Sequence, residues 1–366
     1  MDAVTDDAAA APAATTTDES GRDTESVVAA VDWSLAASLG RKLARPGPKI
    51  TAYTAAQVHA ELADAAVRAE GPVREVTGLA DGLPVPAATV LDRAGWIDAA
   101  AASMPAMLGE TGPGSGSGLT GKLSGAQAGG LLAFLSGAIL GQYDPFSPDP
   151  GSGTDGVLML VAPNIIAVER QLRAVPSDFR LWVCLHEVTH RVQFSANPWL
   201  VDYMRSNVGV LTGESGESMT ELVGRISAAV RSDRPREKGI LGVMQLMQSP
   251  EQYEAFEKVM VLGTLLEGHA DHVMDAVGPA HVPTVETIRA AFDQRRQRPQ
   301  NPLMKIFRAL TGMDAKIAQY VRGKAFVDAV VDAVGMPAFN TVWTDEQTMP
   351  TMAEIGDPDA WIARVL

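Results

Sequence analysis

The sequence has few cysteines, few histidines and few basic residues for its length. Cys184 is the only cysteine in 366 residues, which excludes an intramolecular disulfide and a zinc cluster built from cysteine thiolates. Because 30 Lys and Arg residues stand against 44 Asp and Glu residues, the net charge is -14. Nucleic-acid phosphates repel such an acidic surface, so we expect no nucleic-acid partner.

The chain also lacks a recognisable export signal and a long apolar run. Residues 1–25 are acidic and rich in Ala, Thr and Asp, whereas a signal peptide begins with basic residues and continues into an apolar segment. This composition predicts a disordered acidic tail and a cytoplasmic protein. The apolar segment Ala128–Gly141 is short for a membrane span. We interpret it as a buried core helix in which Gly137 and Gly141 permit close packing, and we expect no membrane partner.

The most informative segment is Leu181–Phe194, which reads LWVCLHEVTHRVQF. In a helix, His186 and His190 lie one turn apart on the same face, so both imidazoles can reach one metal ion. Glu187 stands beside them, where a carboxylate can accept a proton from a metal-activated water. This pattern is typical of a zinc-dependent hydrolase.

The surrounding residues favour a helix for this motif. Four apolar residues recur at helical spacing and predict a face that packs on the core: Leu181, Leu185, Val188 and Val192. We expect Ser177 to be the N-cap and Asn197-Pro198 to end the helix. The apolar run Gly156–Ala162 upstream predicts a strand, either an edge strand that can pair with a peptide or an inner strand of a small sheet.

Further helices are predicted along the chain, among them the following three. One runs from Thr54 to about Glu70 and ends at Gly71-Pro72. Another begins at a capping box formed by Ser249 and Gln252 and ends near Gly278-Pro279. A third covers Ala315–Val334.

A catalytic zinc site usually has a third protein ligand, which must come from another segment. The segment 265–275, LLEGHADHVMD, is the strongest source. Glu267 is our preferred third ligand and His269 the alternative. Asp271 lies one turn after Glu267 and is expected to hydrogen-bond a ligand histidine. His272 and His281 are interpreted as substrate-side, ligand-supporting or ordinary surface residues.

The two segments together resemble the gluzincin arrangement, in which H-E-x-x-H is followed by a remote E-x-x-x-D. Glu267 follows His190 by 77 positions, which does not match the spacing of the thermolysin-like or aminopeptidase families. The chain is more similar to a bacterial family of zincin-like hydrolases associated with biosynthesis of the deazaflavin coenzyme. The likeness includes Leu132–Phe146, both motif segments and Gln319–Val330.

The resemblance implies a mainly α (α+β) zincin-like metalloprotease fold, a helical bundle with a small β-sheet beside the motif helix. We expect one domain over residues 26–366, with a flexible Gly/Ser loop at about 110–121. The implied cofactor is Zn²⁺. The oligomeric state stays open.

These residues predict a zinc-dependent metallopeptidase or amide hydrolase that acts on a peptide or a small amide. A tetrahedral oxyanion needs a donor besides the metal, and Tyr320 is our candidate. The alternative donors are Arg322, Lys324, Tyr203 and Arg191. Two other functions stay open: a non-catalytic, zinc-stabilised binding or maturation protein, and a small-molecule hydrolase of deazaflavin coenzyme metabolism.

Overall fold

The computed structural model describes residues 31–108, 118–149, 155–212, 249–297 and 313–366. In chain order its elements are α1 (Trp33–Leu43), α2 (Ala52–Thr77), β1 (Thr89–Leu91), α3 (Arg93–Leu108), α4 (Leu119–Leu135), β2 (Gly141–Pro148), β3 (Asp155–Val161), α5 (Ala162–Leu172), α6 (Pro176–Ala196), α7 (Trp199–Thr212), α8 (Pro250–His281), α9 (Val285–Gln297), α10 (Met313–Val334), α11 (Met336–Phe339), a 3-10 turn (Asn340–Trp343), α12 (Met352–Ile355) and α13 (Pro358–Val365). The chain is mainly helical with one small sheet, which confirms the predicted fold class.

The sheet has three strands in the order β1-β3-β2. Strand β3 pairs in parallel with β1 and antiparallel with β2, so the apolar run predicted as a strand lies at the centre of the sheet. Of the two interpretations of this run, the inner strand is confirmed and the edge strand is wrong. Strand β2 lies at the edge of the sheet instead, and its pairing with β3 becomes irregular between Asp144 and Pro148.

Helix α2 continues past the point where the sequence predicts its end. Gly71-Pro72 lies inside the helix, which ends at Gly78 in the left-handed conformation. The helix tolerates the proline because the following turn is held by tertiary packing: Val73 and Thr77 are fully buried. Arg74 also donates hydrogen bonds to the carbonyl oxygens of Ala80 and Leu83 in the following loop.

The predicted core helix with its glycine pair is also corrected. Helix α4 begins at Leu119, within the predicted Gly/Ser loop, and ends at Leu135, so Gly137 and Gly141 lie beyond it. Within α4 the close helix packing occurs at Gly125 and Gly129, where an added Cβ would meet the backbone oxygens of Asp32 and Ala36. Several large side chains on the other side of α4 are exposed, so the helix is only partly buried. Within the described ranges, no helix is both long and apolar enough to cross a membrane.

Helices α6 and α8 lie between the two largest apolar cores. The four apolar residues predicted to face a core from α6 are all buried in the first core, together with α2, β3 and α5. Phe194 at the end of α6 joins the second core, with the first half of α8, α10 and the C-terminal segment. Burial of such side chains stabilises the fold by roughly 1.5–3 kcal/mol each. Both motif segments are therefore held on rigid helices.

The predicted N-cap of α8 is confirmed, whereas that of α6 is wrong. Ser249 and Gln252 form the predicted capping box at the start of α8, and Gly278 interrupts its helical geometry as expected. Helix α6 begins at Pro176 with Val175 as its N-cap, so Ser177 is not the cap. Proline suits the first helical position because its missing N–H would have no helical partner there.

Candidate metal centre

Helix α6 presents the two motif histidines side by side. The rings of His186 and His190 are 4.7 Å apart between centroids and nearly perpendicular, at 87°. Their Nε2 atoms are 3.2 Å apart. The one-turn spacing predicted from the sequence therefore brings two nitrogen donors to the same point on the helix surface.

Helix α8 brings Glu267 to this pair. The carboxylate oxygens of Glu267 lie 3.5 Å from His186 Nε2 and 3.8 Å from His190 Nε2. One ligand atom from each residue falls within 4.8 Å of the others. A tetrahedral zinc ion with bonds of roughly 2.0–2.2 Å separates its ligand atoms by about 3.3–3.6 Å. Two imidazoles and one carboxylate at these separations fit a zinc ion.

Gln193, one turn after the motif, orients the ring of His190. The backbone oxygen of Leu266 can only accept a hydrogen bond, so the Gln193 amide nitrogen faces it at 3.0 Å. The same nitrogen lies 2.9 Å from Nδ1 of His269. The amide oxygen then lies 2.9 Å from Nδ1 of His190, which must donate. The proton of neutral His190 is thus on Nδ1, and Nε2 keeps its lone pair towards Glu267.

The structure places His269 away from the cluster. Its ring is fully buried and packs against Phe339 and Trp343, with centroid separations of 5.4 Å to each. Burial lowers the pKa of His269 to about 3, so the ring is neutral and Nδ1 accepts from Gln193. Its buried Nε2 has no hydrogen-bond partner among the described residues. His269 thus packs against the second core and lies outside the group formed by His186, His190 and Glu267.

Glu187 lies under the edge strand and next to the histidine pair. Its side chain is buried, and an added Cβ at Gly141 would come within 2.6 Å of Glu187 Cγ. Burial raises the pKa of Glu187 to about 7, against the opposing effect of the charge on His186. Although burial lowers the pKa of His186, its hydrogen bond to Glu267 and nearby carboxylates raise it to about 9. A metal ion held by His186 would have to displace this proton.

The cluster opens into a cleft of about 430 Å³. Its walls come from α3, β2, the end of α6, α7 and α8, and His186, Glu187, His190 and Glu267 all line it. The side chains of the three candidate ligands keep 24%, 13% and 37% of their surface exposed, in the order His186, His190 and Glu267. A closed structural zinc site would not leave its ligands open to a cleft in this way.

Several other sequence-predicted residues have roles away from the cluster. The side chain of Asp271 forms no hydrogen bond with either histidine of the described cluster, and Gln193 takes the place predicted for it. Arg191 is buried against Glu70 and donates to the oxygen of Pro86. Tyr203 packs in the second core rather than lining the cleft.

The remaining predicted residues lie on α8 and α10. Lys324 and His272 both pair with Asp328, on the side of α8 that packs against α10. His281 is exposed. The side chain of Tyr320 lies outside the described part of the chain. Its position on α10 is one turn before Gly323, whose backbone packs against Thr264 in the cleft wall.

Sequence reasoning missed the roles of Gln193 and Gly141. Gln193 lies outside the H-E-x-x-H pattern, so the motif assigns it no role. Its spacing of i+3 from His190 places it on the ligand face of the helix, and that spacing is the signal that would have found it. Gly141 gives no comparable signal, because its contact with Glu187 depends on how β2 crosses α6.

Replacement of Gln193 by methionine should weaken zinc binding about 10- to 100-fold, because His190 then loses the acceptor that fixes its tautomer. We would measure zinc affinity by competition with a chromophoric chelator and thermal unfolding of the zinc-free protein in parallel. Gln57→Met changes an exposed glutamine on α2 and serves as the matched control. A folded Gln193→Met variant with wild-type zinc affinity would contradict the positioning role.

The chain is similar to known proteins over most of its length. The sequence model of the zincin-like metallopeptidase family matches residues 31–362. The crystal structure of a candidate hydrolase with a novel fold from Chloroflexus aurantiacus is similar to the chain, with 31% sequence identity and a TM-score of 0.63. The alignment covers 91% of this chain and 98% of that one. A comparison with the curated proteins finds no match. The chain therefore belongs to the zincin-like metallopeptidase family.

Proposed function

We propose that the protein is a zinc-dependent peptidase, with His186, His190 and Glu267 as zinc ligands and Glu187 as general base. The observation that carries the proposal is the convergence of these four side chains on one open cleft. A purely structural metal site needs the three ligands but gains nothing from a buried carboxylate beside them. The open cleft therefore favours catalysis over a zinc-stabilised binding protein.

When bound, zinc supplies Lewis acidity that activates a water and polarises a carbonyl oxygen. Glu187 accepts the proton of the attacking water and passes it to the leaving amine, which becomes a neutral product. Because Gly141 has no side chain, the Glu187 side chain packs directly against it, and this contact fixes the position of Glu187. The hydrogen bond from His190 Nδ1 to Gln193 keeps Nε2 of His190 towards the cluster.

The oxyanion needs a further donor from this chain. Three hydroxyl groups belong to described residues that line the cleft, and all three are already engaged. Ser103 donates to Asp144, Thr264 donates to the oxygen of Met260, and the Tyr143 hydroxyl forms a hydrogen bond with Ser195. Tyr320 remains our candidate. It lies one turn before Gly323 on α10, and Gly323 contacts Thr264 in the cleft wall.

Peptides fit the site because β2 is an edge strand whose residues line the cleft. An extended substrate can add to such an edge through main-chain hydrogen bonds. Small amides of deazaflavin coenzyme metabolism form a second substrate class, supported by the family resemblance alone.

Digestion of a mixed peptide library tests the function. The zinc-loaded protein should hydrolyse peptides, and removal of zinc with a chelator should reduce the rate about 100-fold or more, with recovery on zinc addition. Mass spectrometry of the products gives the cleaved bonds. Equal hydrolysis before and after zinc removal, or hydrolysis of small amides alone, would contradict the peptidase assignment.

A further inference from the structure

The walls of the cleft are apolar and rich in methionine. Four methionines line it, contributed by three helices: Met104 and Met107 from α3, Met204 from α7 and Met260 from α8. Phe146, Phe194, Pro145, Val259 and Leu266 add to the apolar lining. Methionine is unbranched and polarizable, so such walls can adapt to different apolar side chains. The cleft therefore offers binding energy to Leu-, Met- or Phe-sized groups rather than to charged ones.

Among the residues that the structure describes, the charged groups of the cleft apart from the histidine pair are all acidic. Among the described residues, neither lysine nor arginine lines it, so nothing there pairs with a terminal carboxylate. Its acidic residues are Asp144, Glu187 and Glu267. Asp144 is buried and accepts hydrogen bonds from Ser103 Oγ, Ser147 Oγ and the backbone N–H of Phe146.

The two remaining carboxylates are committed to the proposed chemistry. Glu187 serves as base, and Glu267 lies against both histidines. A terminal α-amine would compete with these roles rather than find a separate partner. The described lining residues therefore offer no uncommitted ion-pair partner to either end of a peptide.

The edge strand provides recognition of an internal segment instead. The segment Gly141–Asp144 pairs regularly with β3 on one side, and its residues line the cleft. A peptide that adds to this edge is recognised through main-chain groups on both sides of the scissile bond. This mode of binding favours a substrate whose peptide chain continues on both sides of the scissile bond.

We propose that the protein is an endopeptidase that cleaves internal peptide bonds flanked by apolar side chains. This inference rests on the proposed peptidase function and adds the substrate class. The adaptable methionine walls bind the flanking side chains, the β2 edge binds the main chain, and the absence of terminus-binding charges among the described lining residues disfavours exopeptidase action.

The test uses one decapeptide with a central Leu-Met-Phe core in two forms, with both termini free or with an acetylated N-terminus and an amidated C-terminus. Aminoacyl and dipeptidyl p-nitroanilides report removal of terminal residues. We expect the two decapeptides to be cut at the same internal bond with kcat/KM values within about threefold of each other. We expect the p-nitroanilides to be cut at least 10-fold more slowly. Asp or Lys in the core should reduce kcat/KM at least 10-fold.

Replacing a methionine of the cleft wall by a charged residue should change which peptide core the protein prefers. Met260→Lys places a cation two turns before Glu267 on the same face of α8, and should raise kcat/KM for the Asp-containing core relative to the apolar core at least 10-fold. Met104→Lys on α3 is a second variant in case the first does not fold. Val67→Lys changes an exposed apolar residue of α2 that does not line the cleft and is the matched control.

The outcomes separate the two proposals. Hydrolysis restricted to the ends of the free decapeptide or to the p-nitroanilides would overturn the endopeptidase inference and leave the peptidase function intact. If the Met260→Lys and Met104→Lys variants fold but their kcat/KM for the Asp-containing core, relative to the apolar core, stays at the wild-type value, the proposed role of the walls is overturned. Absence of hydrolysis of every peptide by the zinc-loaded protein would overturn both the inference and the proposed function.

Discussion

Replacement of Glu187 by glutamine is expected to reduce peptide turnover about 10³-fold, within the range that a general base contributes. The amide has the shape of the carboxylate, so it fills the same space beside Gly141, but it cannot accept the proton of the attacking water. Zinc stoichiometry and thermal unfolding should not change. Turnover is measured with the peptide that the library digestion identifies, and zinc is measured by mass spectrometry.

The matched control is Glu75→Gln, which changes an exposed glutamate of α2 and should leave turnover at the wild-type level. Wild-type turnover in a zinc-loaded Glu187→Gln protein would show that another group removes the proton. Loss of zinc together with turnover would instead give Glu187 a role in holding the metal, contrary to the proposal.

Replacement of Glu70 by alanine is expected to lower the free energy of unfolding by about 3–5 kcal/mol. Glu70 and Arg191 are both buried and form an ion pair, and Glu70 also pairs with Arg74 at 2.6 Å. Removal of the carboxylate leaves the Arg191 guanidinium buried on the motif helix with only the oxygen of Pro86 as a remaining acceptor in the described structure. Urea denaturation gives the change in stability.

Glu75→Ala, on the exposed side of the same helix, should change the free energy of unfolding by less than about 0.5 kcal/mol. The double variant Glu70→Met, Arg191→Leu removes both charges and should be more stable than Glu70→Ala alone. A loss below about 1 kcal/mol in Glu70→Ala would show that the pair is not a main support of the helix.

The two helices that carry the site were predictable because their signals are local. The apolar spacing along α6 and the Ser249–Gln252 capping box of α8 depend only on neighbouring residues. The sequence also limits the choice of the third metal ligand. Glu267 and His269 are two positions apart, so they project from nearly opposite sides of a helix. Only one of them can face the histidine pair.

Contacts between residues far apart in sequence decide whether Glu267 or His269 points towards the site. Phe339 and Trp343 cover the side of α8 that carries His269 and leave Glu267 towards α6. Gln193 likewise acquires its role only when α6 meets the backbone of Leu266. Local stop signals fail for the same reason, since Pro72 lies inside α2 because tertiary packing holds the turn that follows it.

The central claim is a zinc site with three protein ligands from two helices, and metal content tests it most directly. Elemental mass spectrometry should find about one zinc per chain in the wild type and in His59→Ala, which changes an exposed histidine of α2. His190→Ala and Glu267→Ala should each lose the metal while remaining folded. A wild-type protein that cannot be loaded with zinc, or a Glu267→Ala variant that keeps a full complement, would contradict the site.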